Sequence, residues 1–244
     1  MNLLLLDETE FMESNRYRLG YQKSKHLLEI KKAKLEDKIK CGRINLDLGI
    51  FIIEKLEEDN IIGNYIKLQE KDRRSPGLDL YIAYQRPQTM KKILFIAGML
   101  EIKKITVFPI TKSEKSYESS SLWQNERWKD EVILGMEQGK NIYPTDLDRL
   151  SHKSKIKNFL LEGIVIILDA SGESLKKVFS SIQSQRVVHI IIGPEGGFTI
   201  DDLSYFKQFG GIVVSLGKIP LRTEYALTTF VAQLDICKEI YNDL

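Results

Sequence analysis

The chain has 244 residues, enough for one large domain or two modest ones, and its 43% hydrophobic and 29% charged content is that of an ordinary globular protein. No apolar run approaches the roughly 20 residues that span a bilayer, and residues 1–6 lack the basic front end of a secretion signal, so a cytoplasmic protein without a membrane partner is expected. Two distant cysteines, Cys41 and Cys237, and three scattered histidines, His26, His152 and His189, argue against a disulfide framework and against a metal centre.

The opening leucines read as a short first strand or arm. Between Arg16 and Arg43 stand ten basic residues against three acidic ones, a local excess that suits phosphate contacts, beside the plainer reading of a solvated lysine-rich surface. Residues 38–43, 49–56 and 61–68 are short, Ile-rich and separated by turn residues, as in a small barrel or sandwich. The charged stretch 71–77 ends in Pro76-Gly77 and reads as a linker.

Beyond it the rhythm changes. Strands are expected at 78–83, 105–109, 164–169, 187–192 and 211–216. Helices are expected at 89–100, 123–138, 173–183, 201–208 and 223–241, with a polar loop over 111–121. Alternating strands and helices imply a parallel sheet, and continuous apolar runs fit strands buried on both faces. His189, inside such a run, is read as a core residue. Ligands of such sheets sit beyond the carboxyl ends of the strands, which directs attention to the loops at Gly193 and Gly217.

The first loop is Gly193-Pro194-Glu195-Gly196-Gly197-Phe198. Three glycines with Pro and Glu are denser than a plain turn requires, and they let backbone approach a ligand closely. The dinucleotide and phosphate-loop fingerprints are both absent, and Glu195 would repel an anion at a helix start. A neutral adenosine carrying a positive sulfonium tolerates that carboxylate better. The second loop, Leu216-Gly217-Lys218-Ile219-Pro220-Leu221-Arg222-Thr223-Glu224, leads into the closing helix. Thr223 suits a helix cap and Glu224 its first turn. Arg222 is either a surface arginine or a cleft residue holding an RNA phosphate or a base oxygen.

With these residues assembled, the chain resembles the RsmE family of 16S rRNA uridine methyltransferases, within the SPOUT superfamily. Residues 191–198 resemble the family's Ile-Gly-Pro-Glu-Gly-Gly-Phe loop. Leu216-Gly217, followed by Leu221-Arg222-Thr223-Glu224 and Ala226, resembles its Leu-Gly and Leu-Arg-Thr-Glu-Thr-Ala region. Outside residues 187–232 the likeness is looser. His26-Leu27-Leu28 and residues 35–39 resemble an N-terminal family stretch, with Glu36 where Gly is usual. Arg86-Pro87 replaces the usual Lys-Gly, and Asn141 stands near Glu137-Gln138 where an arginine is usual.

The resemblance implies an α/β fold: a trefoil-knotted SPOUT-type parallel-sheet methyltransferase domain over residues 78–244, preceded by a small PUA-like RNA-binding β-barrel over residues 1–70. It implies S-adenosyl-L-methionine as cofactor, held by Ile192, Gly193, Pro194, Gly196, Gly197, Leu216, Gly217, Leu221, Thr223 and Ala226. It implies methylation of N3 of a uridine in 16S rRNA or the assembled small subunit, usually by a homodimer. Arg222 would stabilise charge on the uracil oxygens, and Glu195 and Glu224 are the candidate bases. Alternatives are an RNA-binding or ribosome-assembly factor that has lost turnover, a methyltransferase for another base or RNA, and a nucleotide-using α/β enzyme unrelated to RNA.

Overall fold

A computed structural model describes residues 2–73, 77–158, 163–183 and 187–242. The chain divides into two compact units, residues 1–73 with 136–144 and residues 74–135 with 145–244. Of the linker expected at 71–77, residues 74–76 lie outside the described residues.

The first unit is mainly β. Its strands are β1 (Leu4–Leu6), β2 (Arg16–Leu19), β3 (Lys38–Arg43), β4 (Asp47–Leu56) and β5 (Ile61–Glu70), with the short helix α1 (Tyr21–Lys25) after β2. They form one sheet in the order β1-β3-β4-β5-β2, antiparallel apart from the β1–β3 pair. Along β4 burial alternates, so Phe51 and Ile53 face inward with Leu4, Leu6, Tyr17, Leu19, Leu27, Cys41 and Tyr65. Of the ten basic residues between 16 and 43, Arg16 pairs with Glu54, Lys23 with Glu10 and Arg43 with Asp47. Arg18, Lys25, Lys31, Lys32, Lys34, Lys38 and Lys40 are exposed.

The second unit alternates strand and helix. In order it runs β6 (Gly77–Ala83), α2 (Pro87–Met99), β7 (Ile102–Phe108), α3 (Trp128–Gly139, whose last residues belong to the first unit), β8 (Asp146–Arg149), β9 (Ile164–Ser174), α4 (Leu175–Ile182), β10 (Val187–Ile192), α5 (Ile200–Lys207), β11 (Ile212–Ser215) and α6 (Thr223–Asn242). The sheet order is β11-β9-β10-β6-β7-β8, and every pair is parallel. Six parallel strands need helical crossovers on their faces, which buries the central strands and explains their unbroken apolar runs. One layer centres on Tyr81, Phe108, Ile167, Ile191 and Phe206, while α2 and α4 both pack on α6. No helix among the described residues is long and apolar enough to cross a membrane.

Three local expectations need correction. The helix expected from 123 starts at Trp128, because Asn125 and Glu126 take positive φ values of 49° and 55° that no α-helix accommodates. The helix expected from 173 starts at Leu175, because Glu173 and Ser174 pair with Val214 and Ser215 of β11. Thr223 is already the first helical residue of α6, and its hydroxyl donates to the Gln85 side chain instead of capping. Strands β2 and β8 were not foreseen.

Candidate active site

The strand order places β10 between β9 and β6, so the chain reverses direction across the sheet at this point. A ligand crevice is expected beyond the carboxyl ends of strands at such a switch. A cleft of about 1050 Å³ lies there. That is the upper end of the roughly 300–1,000 Å³ typical of small-molecule sites.

The walls come from three strands and the loop after a fourth. Leu168, Asp169 and Ala170 come from β9, Ile192 from β10, Val214 and Ser215 from β11, and Arg86 lies just beyond β6. Residues 168–172 of β9 leave the ladder with β11, since Val213 pairs with Ile167 but Val214 with Glu173, while Leu168 still pairs with Ile192 of β10. This excursion carries Asp169 to the cleft and is permitted by Gly172, where a Cβ would lie 2.5 Å from the Val213 carbonyl.

Both loops singled out in the sequence line the cleft: Gly193, Pro194, Glu195, Gly197 and Phe198 from one, and Leu216, Gly217, Ile219, Pro220, Leu221, Arg222, Thr223, Glu224 and Ala226 from the other. Gly196 is not among the lining residues, and its carbonyl accepts from Lys112 Nζ at 2.9 Å. Gly197 takes φ +70°, a conformation L side chains rarely adopt, which makes the turn into α5 sharp. Thr199 and Asp202 then form a reciprocal capping box that fixes the head of α5.

The charged lining side chains are mostly committed. Glu195 Oε2 pairs with Arg86 Nε at 3.0 Å, and its Oε1 accepts from Thr89 at 3.3 Å. Glu224 is buried, and its Oε1 pairs with Lys92 Nζ at 3.3 Å. Asp169 accepts from the backbone and hydroxyl of Ser171. The Arg222 side chain is exposed and makes no ion pair or hydrogen bond with another described residue. A guanidinium left without a partner in a cleft is ready for an anionic ligand or for negative charge developing on one.

Sequence reasoning missed Gln85, Thr89, Lys92, Tyr117 and Asp169. Leu168 and Asp169 sit at the carboxyl end of the strand expected at 164–169, so the strand-end rule applied to every expected strand finds them. Gln85 carries no sequence signal, because a single Gln after a strand is an ordinary loop residue. His189 is a core residue as expected, 3.5 Å from Asp79 on the neighbouring strand and edge-on to Tyr81. Asn141 is fully buried, and its carboxamide donates to the Tyr143 carbonyl and accepts from the Tyr143 N–H, both at 2.8 Å. It shapes a turn of the first unit. Among the described residues no cluster of His, Cys, Asp or Glu is placed to hold a metal ion.

Residues 73–235 match the model of a family described as an RNA methyltransferase domain. Among curated relatives, ribosomal RNA small subunit methyltransferase E 1 of Borreliella burgdorferi is 28% identical over 99% of this chain and all of its own. The corresponding protein of Aquifex aeolicus is 30% identical over 68% of this chain and 72% of its own. Among solved structures, ribosomal RNA small subunit methyltransferase E of Neisseria gonorrhoeae, bound to S-adenosyl methionine, superposes with a TM-score of 0.78 at 18% identity, covering 97% of each chain.

Proposed function

We propose a function from the premise that this chain belongs to the RNA methyltransferase domain family: it uses S-adenosyl-L-methionine to methylate 16S ribosomal RNA of the small subunit, at N3 of a uridine. The observation that carries the reading is the cleft at the switch point. A glycine-rich loop forms one wall, and the unpartnered Arg222 stands on the other.

The donor set suits the cofactor. S-adenosyl-L-methionine supplies, when bound, a methyl group on a positively charged sulfur. Leu168, Ile192, Leu216 and Leu221 offer apolar wall beside Gly193 and Pro194, and the backbone at Gly197 and Gly217 is open to close approach. Thr223 and Ala226 add the head of α6, while Gly196 lies outside the lining and is held by Lys112. Asp169, Glu195 and Glu224 give the cleft carboxylates that favour a cation over a phosphate chain.

The chain's own tasks in the reaction are alignment, charge stabilisation and removal of the N3 imide proton. Arg222 faces the negative charge that grows on the uracil oxygens. Both oxygens of Glu195 are engaged by Arg86 and Thr89, whereas Glu224 has only Oε1 engaged, by Lys92. Glu224 is therefore the stronger candidate base.

The finer reading extends to the rest of the molecule. The methyltransferase unit carries a trefoil knot. The first unit is a PUA-like barrel whose exposed lysines meet RNA phosphates. The protein works in the cytoplasm as a homodimer without a metal. The deciding experiment incubates the protein with labelled S-adenosylmethionine and small subunits lacking the modification, then identifies the product by nucleoside mass spectrometry. N3-methyluridine supports the reading, and label on another nucleoside, or none with cofactor bound, overturns it. In the same assay Arg222→Ala lowers turnover about 100-fold while leaving cofactor affinity intact. Unchanged turnover removes Arg222 from the mechanism.

A further inference from the structure

Gln85 is the most buried polar side chain beside the cleft, 1% exposed just beyond the end of β6. A buried carboxamide is tolerated only when its hydrogen-bonding groups are satisfied. Here Nε2 donates to the Ala83 carbonyl at 3.0 Å and to the Gly193 carbonyl at 2.8 Å. Oε1 accepts from the Thr223 hydroxyl at 3.2 Å. One side chain thus joins the end of β6, the first residue of the glycine loop and the first residue of α6.

These partners determine the direction of every bond in the chain. Turned over, the carboxamide would set its oxygen against two carbonyl oxygens, so the amide orientation is fixed. Oε1 is then the group that faces Thr223, and it can only accept. The single hydroxyl proton of Thr223 is therefore spent on Gln85. Thr223 lines the cleft, and toward a ligand it presents lone pairs alone.

We propose that Gln85 is a positioning residue for cofactor binding: it ties the glycine loop to the head of α6 and holds Thr223 Oγ1 as a hydrogen-bond acceptor for an N–H or O–H donor of the bound adenosyl cofactor. The inference rests on the reading of the cleft as an S-adenosylmethionine site. Gln85 touches no ligand itself. Its effect passes through the spacing of two loops and the polarity of one hydroxyl. With Gln85 replaced by an apolar residue, the Thr223 hydroxyl is released to rotate and can present its proton to the donor it would otherwise accept from.

The probe is S-adenosylhomocysteine, titrated calorimetrically into the full-length chain. Wild type must bind it, and absence of binding there sinks the cofactor reading itself and not the role of Gln85. Gln85→Leu and Thr223→Val are each expected to weaken binding about tenfold, the size of one lost hydrogen bond. The double variant is expected to lose little more than either single one, because the two side chains act as a unit. Thr223→Ser keeps the hydroxyl and restores affinity. In turnover assays the variants raise KM for S-adenosylmethionine more than they lower kcat. Gln85→Leu with a lowered Tm but wild-type affinity makes the residue structural only and overturns the proposal. Additive losses in the double variant, or failure of Thr223→Ser to restore binding, overturn the hydroxyl's role.

Discussion

Asp202 offers a sharp test of how the glycine loop is held. The side chain is fully buried at the head of α5. Oδ1 accepts from Lys153 Nζ at 2.9 Å and from the Thr111 hydroxyl at 3.0 Å, while Oδ2 accepts from the Thr199 N–H at 3.1 Å. Asp202→Ala removes half of the capping box, about 1 kcal/mol. It also strands Lys153. A fully buried broken pair costs about 3–5 kcal/mol, but the Lys153 side chain is 27% exposed and turns toward water, which reduces that share to about 1–2 kcal/mol. The total of about 2–3 kcal/mol corresponds to a Tm lower by about 5–10 °C for a unit of this size. The sign with pH follows from the carboxyl itself. Burial pushes its pKa up, but the bonds from Lys153, Thr199 and Thr111 outweigh that and hold it below the ordinary 3.8. Its contribution is therefore present above pH 3.8 and is lost as pH falls through the lower folded value, so the wild-type advantage shrinks in acid. Melting curves of wild type, Asp202→Ala and Asp202→Asn at neutral and acid pH check this. A neutral-pH Tm unchanged within about 1 °C, or a gap that widens in acid, refutes the reasoning.

Two further outcomes are expected. Gly172→Ala drives a methyl into the Val213 carbonyl at 2.5 Å, so β9 and β11 must part. A loss of about 1–3 kcal/mol in urea unfolding should come with weaker S-adenosylhomocysteine binding, because Leu168, Asp169 and Ala170 line the cleft. Cys41 is fully buried, and burial pushes its thiol up to about 12. Iodoacetamide at mildly alkaline pH should leave it unmodified until urea unfolds the first unit, as mass spectrometry of the digested protein will show.

What was legible in the sequence follows the strength of the local signal. The run Val187–Ile192 is apolar apart from His189, and a strand buried on both faces needs that composition, so its bounds were read correctly. The two loops stood out because glycines at strand ends have few structural reasons to cluster. The break before α3 was hard to see, since Asn125 alone hints at a turn, Glu126 favours helix, and the positive φ of both is what ends it. The extension of β9 through Ser174 was hidden as well, because pairing with β11 decides it and no local pattern announces that partner. Gln85 was invisible for the same reason. Its meaning lies in Gly193 and Thr223, both more than a hundred residues away.

The choice between the two candidate bases turns on how each carboxylate is occupied. Glu195 is more than a third exposed, and both of its oxygens are engaged, by Arg86 and Thr89. Taking a proton there discharges the carboxylate and loosens its pair with Arg86. Glu224 is 5% exposed in its side chain and holds Lys92 through Oε1, while Oε2 has no partner among the described residues. Gln replaces Glu at either position with the same shape, so backbone and packing are preserved and only the charge and proton affinity change. Glu224→Gln is expected to lower kcat by about 100-fold or more, the usual contribution of general base catalysis, with cofactor affinity little changed. Glu195→Gln is expected to cost less than about tenfold, since the exposed pair with Arg86 is worth at most about 1 kcal/mol. Single-turnover methyl transfer at saturating cofactor separates the two. Should Glu195→Gln be the more damaging, proton removal belongs to the glycine loop, and the Lys92–Glu224 pair serves only to fasten α2 to α6.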